Sequence, residues 1–339
     1  MGGDRAPREI VQGTVDAVRA DADLVSVLVG RRSVVEGELA TCDGVSLDRI
    51  SVVHAEEVIA MSDSPVDALR KKRDSSIEVA TKLVKDGRAQ AVVSAGNTGA
   101  CVAAAQLRLG LLPQVKRPGI AVAMPAGDRP VVVIDAGANI NPKPTHLIQY
   151  GVMASLYATA VLNVKNPRVG LLNVGEESEK GTSLAKVVHN EFGETDLNYI
   201  GNIEGSDVFS GGCDVVVCDG FVGNVLLKAS EGLAARMLKT FHEVLAAGGG
   251  TNESKESSAT PSIAAALAGV FSQLRERFDY AEYGGAPLLG VSGVTTIAHG
   301  RSDARAIANA VRVAKSMVGA DFNGRVTTAI EQMCLAKRN

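Results

Sequence analysis

The sequence lacks the features that mark membrane-spanning, secreted and metal-binding proteins. None of its apolar stretches reaches the roughly 20 residues that a bilayer-spanning helix needs, and its N-terminus has no basic segment followed by an apolar one. Its cysteines form no CxxC pair and no metal-type spacing with histidine. They are Cys42, Cys101, Cys213, Cys218 and Cys334. These absences predict a protein of the reducing cytoplasm that uses no metal cofactor.

The sequence also lacks an excess of charge of either sign. Its 35 Lys and Arg residues nearly balance its 38 Asp and Glu residues, which argues against nucleic acid as a partner. An acidic partner would therefore have to meet a local patch. The densest basic run consists of Arg70, Lys71, Lys72 and Arg73. We expect this run either to be a solvated helix end or to receive an acidic protein.

Nucleotide-binding motifs are missing as well. The chain has no GxGxxG, and the segment GEESEKGTS (175–183) has the order Lys-Gly-Thr where a P-loop needs Gly-Lys-Ser or Gly-Lys-Thr. Two interpretations of this segment stay open. Either Glu176, Glu177 and Lys180 line a polar pocket, or they belong to an exposed loop with an internal ion pair.

What the sequence does contain is a recurring junction, in which a short apolar run is followed by Gly and Asn and then by a helix-like segment. Apolar strands that alternate with helices predict an α/β protein with a mostly parallel sheet covered on both faces. Because ligands bind outside the carboxyl ends of such strands, we expect all the junctions to gather along one edge of the sheet. They are AVVSAGNTGA (91–100), VVVIDAGANIN (131–141), VGLLNVGEE (169–177), NYIGNIEG (198–205) and DVVVCDGFVGN (214–224).

Helix signals lie between these runs. Ser75 with Glu78 reads as a capping box, Ser183 could cap a helix through Phe192, and Pro144 fits the first turn of a helix to about Leu162. The polar, Gly/Ser-rich composition of 248–262 predicts a mobile excursion. A stripe of apolar residues over 263–278 predicts an amphipathic helix.

The first junction is the best anion-site candidate when taken alone. Ser94, Gly96, Asn97, Thr98 and Gly99 combine small residues with side-chain donors at a helix start, although a capped turn that binds nothing fits equally well. In the last junction Cys218 has no histidine beside it, so we expect a small buried hydrophobe. The last junction is therefore predicted to be a ligand-facing turn that contains no nucleophile.

These motifs, taken together and in order, resemble the phosphate acyltransferase (PlsX) family of bacterial phospholipid synthesis. The segments that carry the resemblance are SAGNTGA, DAGAN, VGLLNVGEE, IGNIEG, VVVCDGFVGNVLLK, YGGAPLLG and AHGRSDA. The resemblance implies a single domain over 1–339 with a three-layer α/β/α fold, similar to isocitrate and isopropylmalate dehydrogenases and to phosphotransacetylases. It also implies a homodimer.

The activity implied by the resemblance is transfer of a fatty acyl group from acyl carrier protein to inorganic phosphate. The acyl phosphate product would feed a membrane acyltransferase that acts on glycerol 3-phosphate, and a partner of this kind could bring the protein to the inner face of the membrane. A short-chain phosphotransacetylase using coenzyme A, a dehydrogenase on the related fold and a non-catalytic sensor of a phospho-ligand are the alternatives.

Two departures from the family pattern matter. The family usually opens with a short apolar strand that runs into Asp-Ala-Met-Gly-Gly-Asp, whereas this chain begins at Met-Gly-Gly-Asp. We therefore expect the first strand to be missing from the sheet. The family often also carries a basic amphipathic segment linked to membrane contact, but the corresponding region here is poorly basic.

Attack of phosphate on a thioester needs an anion cradle and donors for the oxyanion, and it needs no covalent enzyme intermediate. We therefore expect Ser94, Gly96, Thr98 and Gly99 to hold phosphate together with Asn139 and Gly223. We expect the catalytic side chains to be Asn97, Lys180, Asn224 and Lys228. Arg70, Lys71, Lys72 and Arg73 are the predicted docking site for the carrier protein.

Overall fold

The computed structural model describes residues 1–42, 47–248 and 284–336. The chain divides into two compact units, Met1–Gly223 with Tyr280–Asn339, and Asn224–Asp279. The excursion predicted over 248–262 and the helix predicted over 263–278 lie outside the described residues, except for Gly248, which ends a helix. The single domain over 1–339 stays a prediction.

The strands are short, mostly of four or five residues. They are β1 (Ser26–Gly30), β2 (Ile50–His54), β3 (Ala91–Ser94), β4 (Gly119–Met124), β5 (Val131–Ile134), β6 (Val169–Leu172), β7 (Tyr199–Ile203), β8 (Val215–Val217), β9 (Ala286–Leu289) and β10 (Val294–Ile297).

Helices connect most of these strands. They are α1 (Arg8–Ala20), α2 (Arg32–Leu39), α3 (Pro65–Lys71), α4 (Ser76–Lys85), α5 (Thr98–Ala104), α6 (Pro144–Ala160), α7 (Ser183–Gly193), α8 (Gly220–Gly248), α9 (Ala304–Gly319) and α10 (Phe322–Ala336). No helix in the described ranges is long and apolar enough to cross a membrane.

The main sheet has eight strands in the order β3-β10-β9-β4-β5-β8-β6-β7, and β1 and β2 form a separate parallel pair. Four neighbouring pairs of the main sheet are parallel and three are antiparallel. Every residue of β5 and β8 is fully buried, and because successive side chains of a strand point to opposite faces, both faces of the sheet are covered at these strands. The predicted α/β class with a mostly parallel sheet is therefore confirmed.

The prediction that all the junctions share one edge is wrong. Strands β3, β10 and β4 run in one direction, whereas β5, β6, β7, β8 and β9 run in the other. The junctions after β5, β6, β7 and β8 therefore lie at one edge, and the junction after β3 lies at the opposite edge. The reversal arises from the antiparallel pairing of β9 with β4 and β10 and of β4 with β5, which no junction motif encodes.

The helix signals succeed in part. Pro144 begins α6, which ends at Ala160, close to the predicted end. The capping box at α4 is wrong, since the Ser75 side chain makes no cap bond and Glu78 instead pairs with Arg108 at 2.6 Å. At α7 the capping side chain is Thr182, one residue before the predicted Ser183.

Candidate active site

The loop after β5 is built around the buried carboxylate of Asp135. One carboxylate oxygen accepts from the amides of Ile120, Gly137 and Ala138 at 3.0, 3.1 and 2.9 Å, and the other accepts from the Asn139 amide at 2.6 Å. Burial raises the pKa of Asp135, while these amide donors act in the opposite direction. The carboxylate thus fixes the course of residues 135–139.

The predicted site residue Asn139 is held on three sides. Its side-chain Nδ2 donates to the Pro118 carbonyl and to the Tyr150 hydroxyl, both at 2.7 Å. Its backbone carbonyl accepts from the Gly220 amide at 2.8 Å. The Asn139 side chain therefore stiffens the loop, because its donors are already occupied by protein groups.

The start of α8 packs closely against this loop. Asp219 Oδ1 caps the helix by accepting from the amides of Phe221 and Val222 at 2.9 Å each. A Cβ on Gly220 would stand 2.8 Å from Asp135 Oδ2, and one on Gly223 would overlap the Asp135 carbonyl oxygen. Glycine at these positions lets the first turn of the helix approach Asp135. For Gly223, which the sequence suggested as a phosphate ligand, close packing is therefore a sufficient reason for glycine.

Cys218 lies beneath this turn and is fully enclosed. Its side chain is 4% exposed, and its Sγ contacts the Asp135 carbonyl oxygen at 3.8 Å. Burial raises the pKa of the Cys218 thiol far above its ordinary value. Burial also raises the pKa of Cys101 to about 11, so neither cysteine provides a thiolate nucleophile near neutral pH.

The loop after β6 presents Lys180 to solvent. Asn173 Nδ2 donates to the Lys180 carbonyl at 3.1 Å, and Asn202 on β7 donates to the Glu177 carbonyl at 3.0 Å. Gly181 adopts a φ of +89°, and a Cβ there would overlap the Asn173 amide. The described ion pairs include none among Glu176, Glu177 and Lys180, so the ammonium of Lys180 stands in an exposed, backbone-fixed loop.

Three further basic groups lie beside the 135–139 loop and were missed from the sequence. Arg117 precedes β4, and Lys143 and His146 belong to the start of α6. Burial, followed by the charges of Arg117 and Lys143, lowers the pKa of His146. No sequence motif reveals Arg117 as a neighbour of this loop, because its place depends on the antiparallel pairing of β4 with β5, which puts the start of β4 at the carboxyl end of β5.

A family model described as a fatty acid synthesis protein matches residues 1–325. The phosphate acyltransferase of Heliobacterium modesticaldum is 48% identical over 322 residues, covering 95% of this chain and 93% of that protein. The phosphate acyltransferase of Nitratidesulfovibrio vulgaris (strain DP4) is 45% identical over 334 residues, covering 97% and 93%. The chain belongs to the phosphate acyltransferase family. This confirms the family suggested by the junction motifs.

Solved structures confirm the fold predicted for a phosphate acyltransferase. A phosphotransacetylase from Streptococcus pyogenes superposes with a TM-score of 0.61 at 15% identity, covering 92% of each chain. The EutD phosphotransacetylase from Staphylococcus aureus has a TM-score of 0.57 at 15% identity, covering 91% of each chain. At this identity the likeness concerns the fold alone.

The first junction is held together by Asn97, which is 6% exposed. Its Oδ1 caps α5 by accepting from the Ala100 amide at 3.0 Å. Its Nδ2 faces the carbonyls of Ala60, Met61 and Asp63 at 3.1 to 3.2 Å. The Asn97 amide therefore acts as a structural tie, and its catalytic role stays a prediction.

The neighbours of Asn97 differ in their exposure. Ser94 Oγ accepts from the Gly96 amide at 3.2 Å, so that amide is engaged. Thr98 is exposed and Gly99 is half-buried. Of the predicted phosphate ligands in this loop, Thr98 is the one that faces solvent with its side chain.

Asn224 and Lys228 lie on α8 within the second unit. Both residues are exposed, and Lys228 Nζ pairs with Glu231 at 2.8 Å. They lie four residues apart, so they share one side of the helix as predicted from the sequence.

The basic run at the end of α3 divides into two kinds of residue. Arg70, Lys71 and Arg73 are exposed. Lys72 is half-buried, and its Nζ donates to the Val58 carbonyl at 2.8 Å and to Asp63 at 2.6 Å. Lys72 therefore holds the loop before α3, and the remaining three cations form the exposed part of the predicted docking surface.

Proposed function

We propose that this chain transfers a fatty acyl group from the thioester of acyl carrier protein to inorganic phosphate, giving an acyl phosphate for phospholipid synthesis. The observation that carries this proposal is the identity of 45% and 48% to phosphate acyltransferases over nearly the full chain. The fold neighbours named phosphotransacetylases are compatible with the same reaction class. The coenzyme A alternative is less favoured, because those neighbours are only 15% identical.

In the proposed step, a phosphate oxygen attacks the thioester carbonyl carbon, the C–S bond breaks, and the carrier protein leaves as a thiolate that takes up a proton. Phosphate is already anionic near neutral pH, and a thiol with a pKa near 8.5 is a good leaving group. No acyl-enzyme is required. The burial of Cys101 and Cys218 supports direct attack, because neither thiol is available as a nucleophile.

The proposed phosphate site lies at the carboxyl edge of β5 and β6. Lys180 supplies positive charge there, and Arg117 and Lys143 add to it. The hydrogen bonds of Asp135 keep the 135–139 loop rigid, which preserves the orientation of nearby dipoles during the reaction. This edge is preferred to the loop of Ser94, Gly96, Thr98 and Gly99, because in that loop the Gly96 amide is engaged by Ser94 Oγ and the Asn97 side chain is engaged by backbone groups of the fold.

Two substitutions, Lys180→Gln and Thr98→Val, distinguish between the two candidate phosphate sites. Lys180→Gln should raise the KM for phosphate about tenfold or more, since it removes one charge-assisted contact. Lys186→Gln, an exposed lysine on α7, is the matched control and should leave that KM unchanged. If Thr98→Val raises the KM for phosphate and Lys180→Gln does not, the first junction holds the anion.

We further propose that Asn224 and Lys228 stabilise the oxyanion. Loss of one such donor typically lowers turnover by about 100-fold or more, so Asn224→Ala and Lys228→Ala should do so with the fold intact. Lys239→Ala is the matched control, because Lys239 is another exposed lysine of the same helix with an acidic neighbour, Glu243, at 3.9 Å. If turnover stays near normal in both test variants, neither Asn224 nor Lys228 stabilises the oxyanion.

The carrier protein is proposed to dock on Arg70, Lys71 and Arg73. The double reversal Arg70→Glu with Arg73→Glu should raise the KM for acyl carrier protein while leaving the KM for phosphate unchanged. Lys85→Glu, on the exposed side of α4, is the control. An unchanged KM for the carrier protein in the double variant would place the docking surface elsewhere.

The whole proposal is tested by comparing donors. Acyl carrier protein loaded with a long acyl chain should give phosphate-dependent acyl phosphate at a far higher kcat/KM than acetyl coenzyme A. In the reverse direction, acyl phosphate and holo-acyl carrier protein should form the acyl thioester. Binding of acyl phosphate without thioester formation would instead favour a non-catalytic sensor. The homodimer implied by the family is tested separately, by light scattering.

A further inference from the structure

His146 lies in the first turn of α6, on the side of the helix that faces the 135–139 loop. Four residues further along α6, the hydroxyl of the buried Tyr150 accepts from Asn139 Nδ2 at 2.7 Å and donates to the Pro118 carbonyl at 3.2 Å. Residues four apart are neighbours on one face of a helix. The half-buried His146 therefore lies one turn nearer the N-terminus, on the face that Tyr150 turns towards the loop.

The backbone of Lys143 determines which ring nitrogen of His146 carries the proton. The Lys143 amide donates to His146 Nδ1 at 3.0 Å, so Nδ1 is an acceptor and the proton of the neutral ring is on Nε2. Burial, followed by the charges of Arg117 and Lys143, lowers the pKa of His146, which favours the neutral ring at pH 7. The imidazole therefore offers an N–H donor at Nε2, and its acceptor is already occupied.

Arg117 is held near this imidazole by the residues on either side of it in the chain. The Lys116 amide donates to Gln149 Oε1 at 2.9 Å, and the Pro118 carbonyl accepts from the Tyr150 hydroxyl at 3.2 Å. Because Gln149 and Tyr150 both belong to α6, the backbone around Arg117 is fixed to the helix that carries the imidazole. Arg117 itself is exposed, so its guanidinium is accessible to a ligand from solvent.

The charges around this imidazole have one sign. Arg117 and Lys143 take part in none of the ion pairs among the described residues. The segments that carry these groups, 110–127 and 136–160, contain no Asp and no Glu. Asp135, which directly precedes the second segment, is fully buried, and both its oxygens accept from backbone amides. The two cations and the Nε2–H are therefore a set of hydrogen-bond donors with no carboxylate acceptor in either segment.

We propose that His146 is a further substrate-binding residue, whose Nε2–H donates to an oxygen of inorganic phosphate beside the cations of Arg117 and Lys143. This inference rests on the proposed function, because it names a contact of the same phosphate. His146 acts as a donor and not as a general base, since Nδ1 is occupied and Nε2 carries the proton. A site made of donors alone favours unprotonated oxyanion oxygens. It therefore accepts sulfate as well as phosphate.

Two substitutions of His146 separate a hydrogen-bond donor from a base. His146→Leu should raise the KM for phosphate about tenfold or more, since one hydrogen bond to a charged group is lost, and should leave the KM for acyl carrier protein unchanged. His146→Gln retains an N–H donor and should recover most of this loss. Thr145→Leu, at the exposed neighbouring position, is the matched control and should behave as the wild type. Equal KM values for phosphate in the wild type and His146→Leu would overturn the inference, and so would an equally large fall of kcat in the Leu and Gln variants, which would reveal a base.

Sulfate is the second probe of this site. It should inhibit the wild type competitively against phosphate, and its inhibition constant should rise in His146→Leu by the same factor as the KM for phosphate. Sulfate that does not compete with phosphate would overturn the assignment of a site made of donors alone. If the wild type forms no acyl phosphate, the proposed function fails, and calorimetry with sulfate decides the site by itself. Weaker binding of sulfate to His146→Leu than to the wild type would then support the contact, and equal binding would overturn it.

Discussion

The replacement of Gly223 by alanine tests the close packing of this glycine, in the first turn of α8, against the Asp135 loop. A Cβ at position 223 would overlap the Asp135 carbonyl oxygen and stand 2.9 Å from Cys218 Sγ and 3.0 Å from the Asp135 carbonyl carbon. Carbon atoms in proteins approach to about 3.5 Å at their optimum. The atoms that this Cβ would overlap are mainly backbone atoms of the fully buried Asp135, so rotating a side chain cannot relieve the clash.

The expected loss of stability is the difference between two opposed contributions to the free energy of unfolding. Overpacking of a well-filled core costs about 1–3 kcal/mol and sometimes more, whereas Gly→Ala in a helix interior gains up to about 1 kcal/mol. We therefore expect Gly223→Ala to lower the free energy of unfolding by about 2 kcal/mol. Gly232→Ala is the matched control on α8, because a Cβ at that position meets no atom within 4 Å. It should be neutral or stabilising by up to about 1 kcal/mol.

The assay is denaturant unfolding of the wild type and both variants, together with phosphate kinetics. Gly223→Ala should lose stability, and its turnover should fall because the 135–139 loop is displaced. Equal stability of the two alanine variants would refute the packing argument. A raised KM for phosphate in a Gly223→Ala protein of unchanged stability would favour direct contact between the Gly223 backbone and phosphate.

Other predictions concern individual side chains. Cys218→Ala should keep turnover within about twofold and cost about 1 kcal/mol in denaturant unfolding through the small cavity left behind; a folded variant that loses about 100-fold in turnover would contradict direct attack. Burial raises the pKa of Asp214, but the hydrogen bonds that Arg168 donates to the carboxylate outweigh burial, and the net effect is a lowered pKa. The ionised Asp214 therefore stabilises the fold above about pH 4, and this stabilisation is lost as the pH falls through the lowered pKa. Asp214→Asn should therefore cost about 1–2 kcal/mol at pH 7, and a loss that stays constant down to pH 3 would count against the ion pair. The lowered pKa of His146 means that the unfolded chain binds a proton first as the pH falls below about 6.5, so the wild type should lose stability as the pH falls below that value and His146→Gln should lose less; identical pH profiles would refute this.

Much of the fold could be predicted because apolar runs such as those of β5 and β8 are encoded locally. Their residues are apolar throughout, which marks strands buried on both faces, and Pro144 marked the start of α6. Strand direction was the point of failure. The junction after β3 resembles the others in sequence, yet the antiparallel strands β9 and β4 reverse the sheet between it and β5.

The candidate site was predictable as a set of loops and much less as a set of contacts. The carbonyls that Asn97 contacts belong to residues 60–63. The Asp135 carboxylate accepts from the Ile120 amide on the neighbouring strand and from the Asn139 amide in its own loop. Such partners are set by tertiary packing, which spacing in the sequence does not report. The available sequence signal for Asp135 was an Asp directly after the four apolar residues 131–134, since a carboxylate buried there needs several hydrogen-bond donors.

Acyl exchange in the absence of phosphate tests the central claim most directly. Acyl carrier protein loaded with a fatty acyl chain is incubated with isotopically labelled holo-acyl carrier protein and the enzyme, in buffer freed of phosphate and then with phosphate restored. Direct attack by phosphate predicts that acyl groups reach the labelled carrier only when phosphate is present, because acyl phosphate is the shared intermediate. Exchange that proceeds at the same rate without phosphate would reveal an acyl-enzyme and contradict the mechanism.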